Sequence, residues 1–129
     1  MNKQEKYIEL QILEQQLNQV QNNLKMLDQQ LAEIEAIKNS IDEFSKLKKD
    51  SETLMPIANG IFAKAKLIDN SELLVNVGSN VVVKKSNKDA IELMSNQGEE
   101  IGKYRVQLIG QLQEIVQKMD TLQLELNKE

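Results

Sequence analysis

Apolar residues recur at alternating three- and four-residue steps at both ends of the chain, and that spacing admits few folds. The first run is Leu10, Leu13, Leu17, Val20, Leu24, Leu27, Leu31 and Ile34. The second is Ile91, Met94, Gly98, Ile101, Arg105, Leu108, Leu112, Ile115, Met119, Leu122 and Leu126. Both are heptad seams, the pattern of a helix that buries one narrow stripe against another helix. No Gly or Pro interrupts residues 1 to 55, so one helix can run the length of the first segment. Beyond Ile34 the apolar residues Ile37, Ile41, Phe44 and Leu47 add two extra three-residue steps, and a stammer is expected there that shifts the phase of the seam. Lys46-Leu47-Lys48-Lys49-Asp50 suits a helix C-terminus, where cations meet the negative end of the dipole. Ser86-Asn87-Lys88-Asp89 supplies N-cap chemistry for the second helix.

Two positions in the second seam break its apolar character. Gly98 gives up packing and about 1 kcal/mol of helix propensity, and Arg105 must snorkel or meet an acidic partner, a way of fixing register. Gly102 and Gly110 add to the glycine content of this helix, as bend points or as sites of close helix approach. Residues flanking the seams are mostly amides and Ser, among them Gln16, Gln21, Asn23, Gln30, Gln97, Gln111 and Gln123, so salt bridges select the partner only weakly.

In the middle the period falls to two. Residues 61 to 68, 73 to 77 and 81 to 85 read as strands, separated by Asn59-Gly60, Asp69-Asn70-Ser71 and Gly78-Ser79-Asn80. A weaker strand, 53 to 57, contains Pro56, which cannot donate to a ladder and belongs on an edge. Two successive hairpins follow. Their expected common face carries Ile57, Ile61, Ala63, Ala65, Leu67, Leu73, Val75, Val77, Val81 and Val83. Such hairpins are marginal alone, so strands of other subunits are expected to complete the sheet.

The expected fold class is α+β, mostly α: a long antiparallel coiled-coil hairpin with two central β-hairpins. Residues 1–129 form one domain, with an N-terminal coiled-coil helix at 1–50, a β-hairpin assembly body at 51–86 and a C-terminal coiled-coil helix at 87–129. A helix of some 45 residues rises about 65 to 70 Å, the second nearly matches it, and both termini arrive at the tip away from the β body.

Composition excludes several classes of function. Aromatic residues make up 3% with no Trp, too little for a large globular core. The net charge of −4, with Lys and acids interspersed, offers no basic stripe for a phosphate backbone, and no nucleic-acid partner is expected. Cys and His are absent, which removes thiolate nucleophiles, disulfides and the commonest metal ligand. The adjacent carboxylates Glu99-Glu100 and Asp42-Glu43 do not face one another on a helix, and Gly78-Ser79-Asn80 lacks the Gly-Lys of a nucleotide loop. The chain is expected not to be an enzyme, with no catalytic residues, no metal and no cofactor. No stretch approaches a membrane span or the apolar core of a signal peptide, so no membrane partner is expected and the cytoplasm is the expected location.

Apolar residues off the seams are more informative. Ile8 and Ile12 fall on the outer face of the first helix and Leu124 on that of the second, all near the termini. They are read as a hydrophobic contact surface. Val106, Ile109 and Val116 also stand beside or outside the second seam, where scattered surface Ile and Val are ordinary.

The central segment is the most specific part of the chain. Leu54-Met55-Pro56-Ile57-Ala58-Asn59-Gly60-Ile61-Phe62 continues through Ala63-Lys64-Ala65-Lys66-Leu67-Ile68, followed by Leu73-Leu74-Val75-Asn76-Val77-Gly78 and Val81-Val82-Val83-Lys84-Lys85. With the flanking heptads it resembles the alpha-type subunits of the prefoldin family, whose paired hairpins differ from the single hairpin of beta-type subunits. The resemblance covers nearly the whole chain. It implies a hexamer of two alpha and four beta subunits, with hairpins woven into a β-barrel platform that carries coiled-coil arms. It also implies an ATP-independent holding chaperone that captures non-native proteins at the arm tips and passes them to a group II chaperonin. The tip residues it implies are Ile8, Ile12, Leu122, Leu124 and Leu126, with Tyr7, Leu10 and Leu13 available where the coil frays. The assembly residues are Ile57, Ile61, Leu67, Leu73, Val75, Val77, Val81 and Val83. A structural adaptor whose arms bind one defined partner is the alternative.

Overall fold

The computed structural model describes residues 1–128; Glu129, the last residue of the expected C-terminal segment, lies outside the described residues. In chain order the elements are α1 (Lys3–Ser45), β1 (Glu52–Ala58), β2 (Ile61–Lys66), β3 (Glu72–Asn76), β4 (Val82–Ser86) and α2 (Asn87–Asn127). The chain divides into two compact units. The first joins Met1–Ala32 to α2 from Gly98 onward, and the second is Glu33–Gln97.

In the first unit, α1 opens with a reciprocal cap that the heptad spacing did not reveal. The Glu5 amide donates to Asn2 Oδ1 at 2.8 Å and the Asn2 amide donates back to Glu5 Oε2 at 3.4 Å. Two of the unpaired donors at the helix start are thereby satisfied. The two helical segments run antiparallel: Lys6 pairs with Glu125 at 3.5 Å, and Asp28 with Arg105. Every seam position from Leu10 to Leu31 and from Gly98 to Leu126 is buried or half-buried, with Leu13 3% and Leu126 6% exposed. Arg105 takes the acidic partner that its place in the seam demands. Its Nε donates to Asp28 Oδ1 at 2.7 Å across 77 residues of sequence. Gly102 and Gly110 are half-buried, yet a Cβ on either would meet nothing within 4 Å in this chain, so close approach of α1 is not what places them.

The second unit corrects one expectation. The stripe keeps its heptad phase through Ile34, Lys38, Ile41 and Ser45, all buried or half-buried, whereas Ile37 is exposed. No stammer is needed. Lys38 occupies the seam with its aliphatic stem while its ammonium reaches Glu35 at 3.4 Å. Ile37, displaced from the stripe, lines a hollow with Leu73 and Val75 of β3 and with Ala90, Leu93 and Met94 of α2. Helix α1 stops at Ser45, so the expected cations of its last turn lie just beyond it.

Each hairpin is its own two-stranded sheet, β1 with β2 and β3 with β4. In the first, Thr53 faces Ala65 and Met55 faces Ala63, and a bulge falls between Pro56 and Ala58 before the Asn59-Gly60 turn. In the second, Leu73 faces Lys85 and Val75 faces Val83. The turn between β3 and β4 holds Gly78, Ser79 and Asn80 all at positive φ, which is why turn-tolerant residues stand there in a row.

Asn70 ties these pieces together. Its amide donates to the carbonyls of Leu47 at 2.7 Å and Ser45 at 3.3 Å, satisfying acceptors left over where α1 ends. Its own carbonyl accepts from Asn87 Nδ2 at 2.6 Å, at the start of α2. Alongside, the Asp69 carboxylate accepts from the hydroxyl and then the amide of Ser71, and these bonds hold its pKa below the usual value. Ser86 caps α2 by accepting from the Asp89 amide at 3.1 Å, as the sequence indicated.

Replacing Asn70 by Ala should lower stability by about 1 kcal/mol, the net worth of its bonds to one partly buried and one exposed carbonyl. Thermal unfolding followed by far-UV circular dichroism reads this directly, and an unchanged midpoint would show the clamp to be dispensable. Arg105→Leu should act oppositely, raising stability by about 1 kcal/mol as a side chain is buried in the stripe.

Candidate interaction surfaces

Among the described residues, no group of three or more His, Cys, Asp or Glu is placed to hold a metal ion, and no helix is long and apolar enough to cross a membrane. Exposed apolar side chains gather most densely in two places.

The first lies at the end of the first unit that carries both termini. Tyr7, Ile8, Ile12 and Leu124 are exposed, Leu124 at 63%. They stand off the seam because the heptad phase leaves them on the outer faces of α1 and α2. Leu10 and Leu122 are half-buried, and Leu13 and Leu126 are buried in the seam. Of the eight residues expected at the tip, four are therefore open and four are engaged within the chain. The capped start of α1 and the Lys6–Glu125 pair hold this end in helical form. A hollow of about 430 Å³ opens beside it, lined by Met1, Leu13, Thr121 and Leu122.

The second surface belongs to the hairpins. Alternation along each strand puts one set of side chains inward and the other out. Leu73, Val75, Val83 and Leu67 are half-buried, and Leu73 and Val75 line the hollow beside α1 and α2. Ile57, Ile61, Val77 and Val81 are exposed near the turns. Sequence reasoning passed over the outward set: Leu54, Phe62, Leu74 and Val82 are all exposed, Leu74 at 72%. The register places Leu74 and Val82 on the face opposite Val75 and Val83, and Leu54 and Phe62 opposite Met55 and Ala63. The signal was available in the sequence, since Leu54, Phe62, Leu74 and Val82 stand in a phase that otherwise carries Glu52, Lys64, Lys66, Glu72, Asn76 and Lys84. Exposed apolar side chains grouped among charges on one face are the pattern of a contact surface with a polar rim.

The comparisons with known proteins agree with this architecture. The family model of prefoldin subunits matches residues 13–129. Among solved structures, the cryo-EM structure of filamentous PFD from Methanocaldococcus jannaschii superposes with a TM-score of 0.79 at 16% sequence identity, over 89% of this chain and 95% of that one. No match was found among curated protein sequences. The two long helices with two small antiparallel hairpins are the prefoldin fold, and the chain belongs to the prefoldin family. It is thus a chaperone-type subunit from a family that is not one of enzymes.

If the outward hairpin face is an assembly surface, Leu74→Lys with Val82→Lys should abolish association with partner subunits while leaving the monomer's helix content nearly unchanged, because exposed sites contribute within about 0.5 kcal/mol to folding. Val75→Lys with Val83→Lys should instead lower the unfolding midpoint as well, since those side chains are half-buried within the unit. Size-exclusion chromatography with light scattering and a thermal melt separate the two.

Proposed function

We propose that this chain is an alpha-type prefoldin subunit, a single prefoldin-like domain that assembles through its hairpins with beta-type subunits into a hexamer of two alpha and four beta chains. The paired hairpins, with apolar side chains on both faces, favour the alpha type. The assembly works in the cytoplasm as an ATP-independent holdase, binding unfolded proteins and delivering them to a group II chaperonin.

The observation that carries this reading is the open apolar set Tyr7, Ile8, Ile12 and Leu124 at the end of the coiled-coil unit. Such a set has no enclosed pocket that could demand one ligand shape. Each buried Leu or Ile contributes roughly 1.5–3 kcal/mol, so a single contact is weak and short-lived. Several arms acting on one client add up through effective concentration. Leu10, Leu13, Leu122 and Leu126 join the surface when the last turns open, which helical ends do more readily than cores.

Changing Ile8, Ile12 and Leu124 together to Ser should reduce suppression of client aggregation several-fold, with helix content and assembly intact. The assay uses several unrelated denatured proteins. Retained suppression by the triple variant would overturn the tip assignment, and activity toward only one protein would favour a dedicated adaptor instead. Native mass measurement with and without a beta-type subunit tests the stoichiometry.

A further inference from the structure

The side of the first unit next to the termini carries more than an apolar tip. Three hollows follow one another there. The first, of about 430 Å³, has Leu13 and Leu122 in its wall. The second, of about 370 Å³, has Val20 and Ile115, and the third, of about 250 Å³, has Leu27 and Leu108. Glu114 and Lys118 line both the first and the second, and Asn23 and Gln111 line both the second and the third. They are stretches of one groove whose floor is the seam itself. From Leu13 to Leu27 it runs about 21 Å, at 1.5 Å of rise per residue.

The rim of this groove changes character along its length. Charges occur only near the terminal end, at Glu9, Glu114 and Lys118. Farther along, the rim is Gln16, Gln19, Asn23, Gln30, Gln107 and Gln111, without a charge among them. None of these six side-chain amides has a hydrogen-bond partner within the described chain. The far end is marked by Met26 and Tyr104, both exposed. The opposite flank mixes amides such as Asn18, Gln21 and Gln113 with Glu14, the Asp28–Arg105 pair and the apolar residues Ile109 and Val116, so what sets this side apart is amides that rim a continuous run of hollows over the seam.

An amide offers a donor and an acceptor without a charge. That is the same pair of groups the peptide backbone offers, and it is indifferent to the side chains that the backbone bears. A folded partner or a formed helix has spent its backbone groups internally. An extended, non-native segment has not. It also turns successive side chains to opposite sides, so that one set can rest on the apolar floor. At roughly 3.3 Å per residue, the 21 Å of groove holds about six residues of such a segment.

We infer that this groove is a backbone-reading extension of the client site: the apolar end captures exposed side chains, and the amide-rimmed groove holds about six residues of the same non-native polypeptide in extended form. The inference rests on the client-binding reading above and adds to it the conformation of the bound chain and the groups that hold it.

The chain contains no Cys, so single cysteines carrying a benzophenone label report position cleanly. With a chemically denatured client and the full-length chain in its assembly, Asn23→Cys and Gln111→Cys in the groove should cross-link, as should Gln123→Cys near the termini. Asn18→Cys and Gln113→Cys on the other flank should not. Cross-linking at residue 123 alone, or equally on both flanks, would overturn the groove while leaving capture at the apolar end. No cross-link at any position would overturn the client-binding reading and this inference together. A second measurement addresses chemistry rather than place. A fluorescent 12-residue peptide of alternating Leu and Ser should bind about tenfold more tightly than its analogue N-methylated at alternate residues, as expected for the loss of one or two net hydrogen bonds. Equal affinity would show that the backbone is not being read.

Discussion

Each helix of this protein has an apolar stripe about two residues wide, and neither can bury it alone. That constraint organises the coiled-coil unit. A stripe repeating every seven residues demands a partner helix along its whole length, and the antiparallel partner is supplied by the same chain, as the Lys6–Glu125 and Asp28–Arg105 pairs show. Because the partner is tethered, the flanking positions need not encode partner choice. They are free to be Gln and Asn, and the rim of the groove is made of them.

In the second unit the decisive interactions are polar. The end of α1, the linker between hairpins and the start of α2 meet through Asn70 and Asn87. Two-stranded sheets have little intrinsic stability, and these are held by their link to the helix ends and by inward residues such as Leu73 and Val75. Holding them by one face leaves the other, with Leu74 and Val82, exposed.

The seams could be read from the sequence because a heptad is a one-dimensional signal: Leu10 to Ile34 and Ile91 to Leu126 needed no knowledge of contacts. The turns could be read because Gly78, Ser79 and Asn80 must all tolerate positive φ. What spacing missed involved partners or dual-purpose residues. Arg105 announced that it needed an acid but could not say which, because Asp28 is 77 residues away. Counting apolar residues alone put Ile37 in the stripe, whereas the half-buried position is Lys38, whose stem belongs there although its end is charged. The hairpin faces were the hardest, because with Leu74, Val75, Val82 and Val83 apolar in both phases, alternation alone does not say which side turns inward. At the tip, spacing put Ile8, Ile12 and Leu124 off the seam, where the structure leaves them exposed.

The regularity of the seam also makes the coil a ruler graduated in sevens. Between the Lys6–Glu125 and Asp28–Arg105 pairs nothing but heptads intervenes on either helix. Removing or inserting seven residues in each helix at matched levels would leave every remaining stripe in phase and both ion pairs in place, while changing the length by about 10.5 Å. Any other increment would rotate the outer faces relative to the stripe by about 100° per residue. The reach of such a molecule is therefore adjustable only in discrete steps, and lineages that need a longer or shorter span can take those steps without redesigning either end.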